Sequence, residues 1–209
     1  RGTRLLLYDR YSKLRLMTFP DKFLWGGSSC GFQCEMGDSS RTSLDENTDW
    51  YVWVHDKTKI RKGTVSGDLP EDGPNYWNLY REDHKIASRL GLNSNRIGIE
   101  WSRIFPASTR EVKVDVERAD DGKIARIAAN ASTMEKLDGL ADANATRHYR
   151  EIVSDLRQRN MKPIVCLNHF TLPLWIHSPV ENRKSKTRPR GWHDEETIVE
   201  FWKFAAYAA

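Results

Sequence analysis

Polar side chains that suit ligand binding stand at the ends of three predicted β-strands. They are Gln33 and Glu35 after the first strand, Arg96 and Glu100 on the second, and Asn168 and His169 after the third. Because ligands of parallel α/β proteins bind beyond the carboxyl ends of the strands, we expect these groups to converge. Amide, guanidinium, imidazole and carboxylate groups together suit a ligand with many hydroxyls. Trp101 and Trp175 offer rings that stack on the apolar faces of a sugar.

Each of these residues also has an ordinary structural interpretation. Gln33 fits a loop residue, and His169 fits a histidine with satisfied hydrogen bonds in the fold. Arg96 and Glu100 fit a structural ion pair. Glu35 and Glu100 invite interpretation as a catalytic pair, because two carboxyl groups flank the scissile bond in most glycosidases. Their spacing gives that reading no support, so structural roles are favoured for both.

The elements that must position these groups alternate between strand and helix. Strands are predicted over residues 23–32, 95–101 and 163–167, and helices over residues 76–90, around 149–156 and from 195 onwards. Three such strand-to-helix steps are typical of a parallel α/β architecture. The third strand is a continuous apolar run, which predicts burial on both faces.

Apolar residues at helical spacing predict the buried face of each helix. These stripes are Tyr76, Tyr80, Ala87 and Leu90 in the first helix, Tyr149, Ile152, Val153 and Leu156 in the second, and Ile198, Phe201, Trp202 and Ala205 in the third. Gly91 and Asn160 are predicted to end the first two helices. The long connections 33–75 and 103–143 exceed ordinary loops, so we expect them to be functional or to contain structure of their own.

Composition favours one folded domain and excludes several classes of protein. The chain has 209 residues with 39% hydrophobic residues and eight tryptophans. Its net charge of +4 comes from 33 basic and 29 acidic residues, which is too even for a nucleic-acid binder. The basic stretch 183–190 is interpreted as a solvated loop. No apolar run approaches the length of about 18 residues that a membrane span requires, so no membrane association is expected.

The three cysteines, Cys30, Cys34 and Cys166, have no metal-binding spacing and form an odd set. They are most simply free thiols, which favours a cytoplasmic location. No metal and no cofactor are expected.

Several segments, in the same order along the chain, resemble glycoside hydrolase family 1 β-glycosidases. They cover residues 19–26, 31–37, 47–50, 67–70, 96–106 with the core Glu100-Trp101-Ser102-Arg103-Ile104-Phe105-Pro106, and 168–175. The connection containing residues 114–148 resembles the archaeal and thermophilic branch, with β-glucosidase, β-galactosidase or β-mannosidase activity.

The resemblance implies a TIM (β/α)8 barrel of which this chain supplies the first three β/α units. It implies retaining hydrolysis of β-linked glucose or galactose, with mannose as a further sugar. Gln33 and His169 match residues that bind hydroxyls of the terminal sugar, and Arg96 matches the arginine beside the nucleophile. Phe170 stands where many relatives carry tryptophan. Phe170 and Trp101 complete the expected substrate-binding set.

The family's two catalytic glutamates are expected beyond Ala209, because the segments that carry them do not occur in this sequence. Residues 1–16 are interpreted as an upstream extension or tag, and residues 17–209 as the N-terminal portion of the barrel. The chain alone is therefore expected to be inactive, and the full-length parent is open to homo-oligomer formation. A second hypothesis is a non-catalytic remnant that binds sugars or assembles with a partner.

Overall fold

The computed structural model describes residues 4–7, 15–37, 41–179 and 189–209. The strands, in chain order, are β1 (Arg4–Leu7), β2 (Arg15–Thr18), β3 (Gly26–Ser28), β4 (Ser94–Gly98), β5 (Asp115–Arg118), β6 (Ile124–Ala128) and β7 (Lys162–Cys166). The α-helices are α1 (Asp49–Val54), α2 (Lys57–Arg61), α3 (Tyr76–Arg89), α4 (Trp101–Ile104), α5 (Ala131–Leu140), α6 (Ala143–Gln158) and α7 (Glu196–Ala208). A π-helix covers Gly31–Glu35, and 3-10 turns cover Pro70–Asp72 and Gly191–His193.

The central sheet has three parallel strands in the order β3, β4, β7. Ser28 is paired with Arg96, and Arg96 is paired in turn with Ile164. This confirms the predicted parallel α/β arrangement. Within the described residues the sheet is open, because β3 and β7 form its edges and no barrel closes.

Helices α3 and α6 pack beside the sheet as their apolar spacing predicts. Tyr149, Ile152 and Leu156 are buried on α6, and Tyr76 and Tyr80 are buried on α3. The two helices are also joined by a hydrogen bond of 2.8 Å between His84 Nδ1 and an Asp155 carboxylate oxygen.

The end of α3 corrects one member of its predicted stripe. Leu90 is 74% exposed rather than buried. Gly91 has φ +81° and turns the chain, so that the Leu92 N–H donates to the Ala87 carbonyl at 3.1 Å. This is a Schellman ending, and Leu92 packs against the core in the place expected of Leu90.

The first two strands are shorter than predicted, whereas the third has the predicted length and begins one residue earlier. The first strand ends at Ser28 because the chain winds into the π-helix, and the second ends at Gly98 because α4 begins at Trp101. The prediction that the third strand is buried on both faces is wrong, since Ile164 and Val165 are each 42% exposed. Their strand lies at the sheet edge, where the described residues provide no further neighbour.

The predicted inner face of α7 is only partly correct, because Phe201 is the one member of the stripe that packs against the core. Ile198 is exposed, and Phe201, Trp202 and Ala205 are only half-buried. The inward face carries Thr197, Glu200, Lys203 and Phe204. The polar pair fits there because Lys203 Nζ lies 2.6 Å from Glu200 Oε1, and Glu200 Oε2 accepts a hydrogen bond of 2.6 Å from Thr109. Paired and hydrogen-bonded in this way, the two charges occupy the core without an unsatisfied group.

Both long connections contain their own structure, as expected. The first holds α1, α2 and a 3-10 turn, and the second holds α4, the antiparallel β5–β6 hairpin and α5. The division at residue 16 stays a prediction, since residues 1–3 and 8–14 lie outside the described part of the chain. Most of the basic stretch 183–190 also lies outside the described residues, so its interpretation as a solvated loop stays a prediction. Among the described residues, no helix combines the length and apolarity needed to cross a membrane.

Candidate functional site

Three residues of the predicted site project from the carboxyl-terminal half of the open sheet. Gln33 is exposed on the π-helix that follows β3, Arg96 lies on β4 and is half-buried, and half-buried His169 follows β7. The backbone links the first two elements directly, because the Ser29 N–H donates to the Arg96 carbonyl at 2.8 Å. The parallel order of the strands therefore brings the three predicted residues to one edge of the sheet.

Stacked aromatic rings connect the segment of Gln33 with the segment of His169. Phe32 lies edge-on to Trp50 at 5.5 Å between ring centroids, and Trp50 stacks on Phe170 at 5.3 Å with an angle of 14°. The Phe170 ring in turn lies 4.3 Å from the His169 ring. We call Phe32, Trp50 and Phe170 the aromatic cluster, and Gln33 and His169 flank it in sequence.

Trp50 reaches this position because α1 is anchored to the chain after β7. The Asp49 N–H donates to the Leu172 carbonyl at 2.9 Å, and the Leu172 N–H donates back to the Asp49 carboxylate at 3.0 Å. The second Asp49 oxygen is 2.6 Å from His177 Nδ1. Trp50 was not among the residues expected in the site. Its inclusion in the family-like segment 47–50, within a long connection, was the available signal.

Phe170 is held in an unusual backbone conformation. Its φ is +79°, which is rare for a bulky residue, and its ring is exposed. Strained residues of this kind cluster at ligand-binding sites, where the surrounding structure fixes them. This conformation presents an aromatic face to solvent beside His169.

Trp101 does not provide such a surface. It is 2% exposed, stacks on Phe204 at 5.6 Å, and meets Trp175 edge-on at 5.5 Å. The structure corrects our expectation that Trp101 stacks on a ligand, because α4 turns its ring into the core under α7. Trp175 is half-buried and donates its indole N–H to the Phe105 carbonyl at 3.0 Å.

A buried carboxylate cluster, formed by Glu35 and Glu100, lies beneath the site. Glu35 accepts hydrogen bonds from Arg103 Nε at 2.8 Å and from the Tyr149 hydroxyl at 2.9 Å. Glu100 accepts a hydrogen bond of 2.5 Å from Thr171 Oγ1. The two glutamates are 2% and 5% exposed.

The close packing of this cluster depends on a glycine. A Cβ placed on Gly31 would lie 2.0 Å from Glu100 Cγ, so the π-helix can rest on Glu100 only because residue 31 has no side chain. The structural interpretation of the sequence placed Glu100 in an ion pair with Arg96. In the structure, Glu100 instead accepts a hydrogen bond from Thr171.

Burial shifts the pKa of both glutamates upward. Loss of solvation raises the pKa of Glu35 to about 7, although the nearby Arg103 charge opposes the rise. Loss of solvation also raises the pKa of Glu100 to about 8, and the neighbouring Glu35 charge adds to the rise. Protons are thus retained in this cluster at a pH where exposed carboxyl groups are ionised.

Arg96 and Asn168 differ in how their polar atoms are satisfied. Asn168 donates its side-chain amide to the Thr171 carbonyl at 3.0 Å, which fixes the turn that carries His169. Nε of Arg96 is buried and has no hydrogen-bond partner among the described residues. A buried guanidinium N–H without a partner is costly and points to an acceptor group that belongs beside it.

No group of three or more histidine, cysteine or acidic side chains in the described ranges is arranged to hold a metal ion. The predicted site residues supply hydrogen-bonding groups, an aromatic ring and one guanidinium charge.

Comparison with known proteins decides the family. Residues 16–116 match the model of glycosyl hydrolase family 1. The chain is 50% identical over 194 residues to a β-galactosidase of Pyrococcus woesei, an alignment that covers 91% of this chain and 38% of that protein. The chain belongs to glycosyl hydrolase family 1.

Solved structures place the family 1 chain in the archaeal and thermophilic branch. The crystal structure of the β-glycosidase from the hyperthermophile Thermosphaera aggregans matches with a TM-score of 0.87 and 48% identity, over 91% of this chain and 40% of that one. A hyperthermophilic β-glucosidase mutant that forms a dodecamer in its crystal matches with a TM-score of 0.86 and 51% identity, over 90% and 42% of the two chains.

The coverage explains the open sheet. The chain spans about 40% of the length of these relatives. Its three parallel strands match the N-terminal part of the family's TIM-barrel structures, and the described residues do not close that barrel.

Proposed function

We propose that the protein containing this chain is a retaining O-glycoside hydrolase that releases terminal β-linked glucose or galactose from β-glycosides, with mannose as a further sugar. The observation that carries the proposal is the 50% identity to a β-galactosidase across 91% of the chain. The exposed Gln33, the half-buried His169 and the aromatic cluster between them support a carbohydrate ligand.

Within this proposal the chain contributes recognition of the terminal sugar. The Gln33 amide can both donate and accept hydrogen bonds, and each His169 ring nitrogen can do one or the other. A sugar hydroxyl likewise donates and accepts, so the groups are complementary. Phe170 supplies the apolar face on which the ring of the sugar rests.

Arg96 has an electrostatic role in the proposal. A guanidinium beside a carboxylate lowers the carboxylate pKa and keeps it ionised, as a nucleophile requires. The partnerless Nε of Arg96 supports this assignment, because it has a hydrogen bond left to donate.

Retaining hydrolysis needs two carboxyl groups about 5–5.5 Å apart, one as nucleophile and one as acid and base. In the family these belong to a Thr-x-Asn-Glu-Pro segment and a Thr-Glu-Asn-Gly-like segment, and neither occurs in the 209 residues. Glu35 and Glu100 do not substitute for them. They are buried, and their oxygens are engaged by Arg103, Tyr149 and Thr171. We therefore propose that the chain by itself does not turn over substrate.

The proposal is tested with a chimera in which residues 17–209 replace the matching part of the Pyrococcus woesei β-galactosidase. The chimera is expected to hydrolyse a chromogenic β-galactoside or β-glucoside, whereas the 209-residue chain alone is not. Gln33→Ala in the chimera should lower kcat/KM about 10-fold or more, the effect of losing about 1.4 kcal/mol of hydrogen bonding. Gln158→Ala, an exposed glutamine on α6, is the matched control and should leave kcat/KM unchanged.

Two results would contradict the proposal. A soluble, folded chimera without activity would count against the function. Turnover by the 209-residue chain that disappears on Glu35→Gln or Glu100→Gln would show that the catalytic residues have been assigned wrongly.

The absence of both family glutamate segments from the 209 residues also favours a second candidate, a non-catalytic sugar-binding or assembly remnant. Titration calorimetry of the chain with glucose and galactose separates the two candidates. Heat of binding by the chain together with an inactive chimera would favour the remnant, and no heat at millimolar sugar would exclude its sugar-binding form.

We extend the proposal to the setting of the parent protein. Its substrate is a β-glycoside or oligosaccharide, its location is cytoplasmic, and it assembles as a homo-oligomer. Three free cysteines support the location, and the dodecamer-forming relative supports assembly.

A further inference from the structure

Two cysteines lie one helical turn apart at the π-helix that carries Gln33. The Cys34 N–H donates to the Cys30 carbonyl at 3.1 Å, which fixes the turn between them. The side chains of Cys30 and Cys34 also interact, with the Cys30 thiol as hydrogen-bond donor to the Cys34 sulfur.

The proton of the Cys30 thiol faces two acceptors. The Cys30 sulfur lies 2.8 Å from Gln33 Oε1, and the Cys34 sulfur is its other neighbour. Because the Cys30 thiol donates to the Cys34 sulfur, Cys34 loses its proton more readily than Cys30 does. The hydrogen bond from Cys30 lowers the pKa of Cys34 to about 6, against the opposing effects of partial burial and the Asp83 charge.

Cys30 has the opposite character. Its hydrogen bond to Cys34 and its burial raise its pKa, and the Glu100 charge acts in the same direction. Cys30 is 6% exposed, whereas Cys34 is half-buried. The accessible sulfur is thus the more nucleophilic one, and the sheltered sulfur stands next to it. This is the arrangement of an attacking and a resolving cysteine.

We propose that Cys30 and Cys34 form a thiol oxidation site that a hydroperoxide converts into an intrachain disulfide. The Cys34 thiolate attacks one peroxide oxygen, the O–O bond breaks, and protonation of the leaving hydroxide gives water and a Cys34 sulfenic acid. The Cys30 sulfur then attacks the Cys34 sulfur, and the Cys30 proton leaves with the sulfenic hydroxyl as a second water. The two sulfurs together lose two electrons, which reduce one hydrogen peroxide to two waters.

Formation of the disulfide changes the surroundings of Gln33. The Cys30 S–H that donates to Gln33 Oε1 no longer exists once the S–S bond forms. Oxidation therefore removes the hydrogen bond that Gln33 Oε1 accepts from Cys30. Among the described residues, Gln33 Oε1 has no other donor. The oxidation site itself stands independently of the proposed glycosidase activity.

The test treats the purified 209-residue chain with hydrogen peroxide, blocks remaining thiols with N-ethylmaleimide, and maps the cysteines by peptide mass spectrometry. The expected product links Cys30 to Cys34, leaves Cys166 alkylated, and reverts with dithiothreitol. Cys166→Ser should give the same product. Cys30→Ser should stop at a Cys34 sulfenic acid that dimedone traps, because the resolving sulfur is gone.

A second measurement shows whether the fold is responsible. The rate of Cys34 alkylation by iodoacetamide should be half-maximal near pH 6 in native buffer, as its lowered pKa requires. In urea the midpoint should move to about 8.5, the value of an unperturbed cysteine. Equal midpoints in the two conditions, a linkage through Cys166, or three thiols that all remain alkylatable after peroxide would each overturn the proposal.

Discussion

Glu35 and Glu100 show how strongly the environment of a single residue sets its chemistry. Both are carboxyl groups next to the predicted site, and both have a raised pKa because they are buried. Raised values of this kind often mark catalytic acids. Here the hydrogen bonds from Arg103, Tyr149 and Thr171 already use the carboxylate oxygens, which makes the pair part of the support beneath the site.

The raised pKa of Glu100 predicts that stability falls as pH rises. An unfolded glutamate releases its proton near pH 4.5, whereas the folded one holds its proton until about pH 8. Between these values the folded state binds more protons, so deprotonation favours unfolding. Glu100→Gln removes this effect. The free energy of unfolding of the variant, relative to wild type, should rise by up to about 1.4 kcal/mol per pH unit across that window.

Urea unfolding followed by tryptophan fluorescence at several pH values between 5 and 8, in steps of about 1, measures this difference. Glu82→Gln, an exposed glutamate on α3, is the control and should run parallel to wild type. A Glu100→Gln curve that also stays parallel would mean that Glu100 is ionised in the folded chain.

Individual residues also show what the sequence could and could not predict. Gln33 and His169 could be placed after β3 and β7, and Arg96 on β4, because the strands of a parallel sheet bring their carboxyl ends to one side. Trp101 was misassigned, since its position after the second strand does not reveal that α4 turns the ring towards Phe204. Trp50 was missed because its place depends on hydrogen bonds between Asp49 and Leu172, which are far apart in sequence.

Among the elements, α6 connects the core with the layer below the site. Its apolar stripe packs inward. The hydroxyl of Tyr149 forms hydrogen bonds with both Glu35 and Glu100. The hydroxyl donates to the Glu35 carboxylate and lies 3.1 Å from the Glu100 backbone N–H, from which it accepts. One hydroxyl thus satisfies two buried polar groups that belong to different strand ends.

Tyr149→Phe is expected to lower the free energy of unfolding by about 1–3 kcal/mol, because both groups lose a buried partner. Tyr207→Phe is the matched control. Its hydroxyl donates to Asp138 at 2.8 Å on the surface, so its loss should cost about 0.5 kcal/mol or less. Urea denaturation of the two variants provides the comparison, and equal losses would contradict the role assigned to Tyr149.

The helices also differ in how well spacing predicts their packing. The stripe of α6 was predicted correctly because its polar residues face water. The stripe of α7 was not, because Glu200 and Lys203 point inward and satisfy each other together with Thr109. A buried ion pair cannot be distinguished from a surface pair by spacing alone. Its partners come from a segment about ninety residues earlier in the chain.

At the scale of the whole molecule, the open sheet governs how the isolated chain behaves. Along β7 the backbone is paired with β4 on one side, and the described residues offer no strand on the other. Ile164 and Val165 on this strand are exposed. An uncovered apolar edge strand pairs readily with other chains, and a lysine placed on it opposes that pairing.

We therefore expect the 209-residue chain to self-associate as its concentration rises, and Ile164→Lys to reduce that association. Ile198→Lys, at an exposed isoleucine on α7, is the control and should have little effect. Sedimentation velocity over a concentration series measures the outcome. A wild-type chain that remains a monodisperse monomer throughout would rule out the edge as a site of association.

The contacts of α7 also govern the order in which the chain can fold as it leaves the ribosome. Phe204 covers Trp101, and Lys203 Nζ donates to the Thr109 carbonyl at 3.1 Å. Synthesis runs from the N-terminus, so the segment from Trp101 to Thr109 emerges long before the helix that shelters it. During that interval a tryptophan destined for the core stays open to solvent and to chaperones. Between the emergence of α4 and that of α7, the nascent chain therefore exposes an apolar side chain that can associate with other chains.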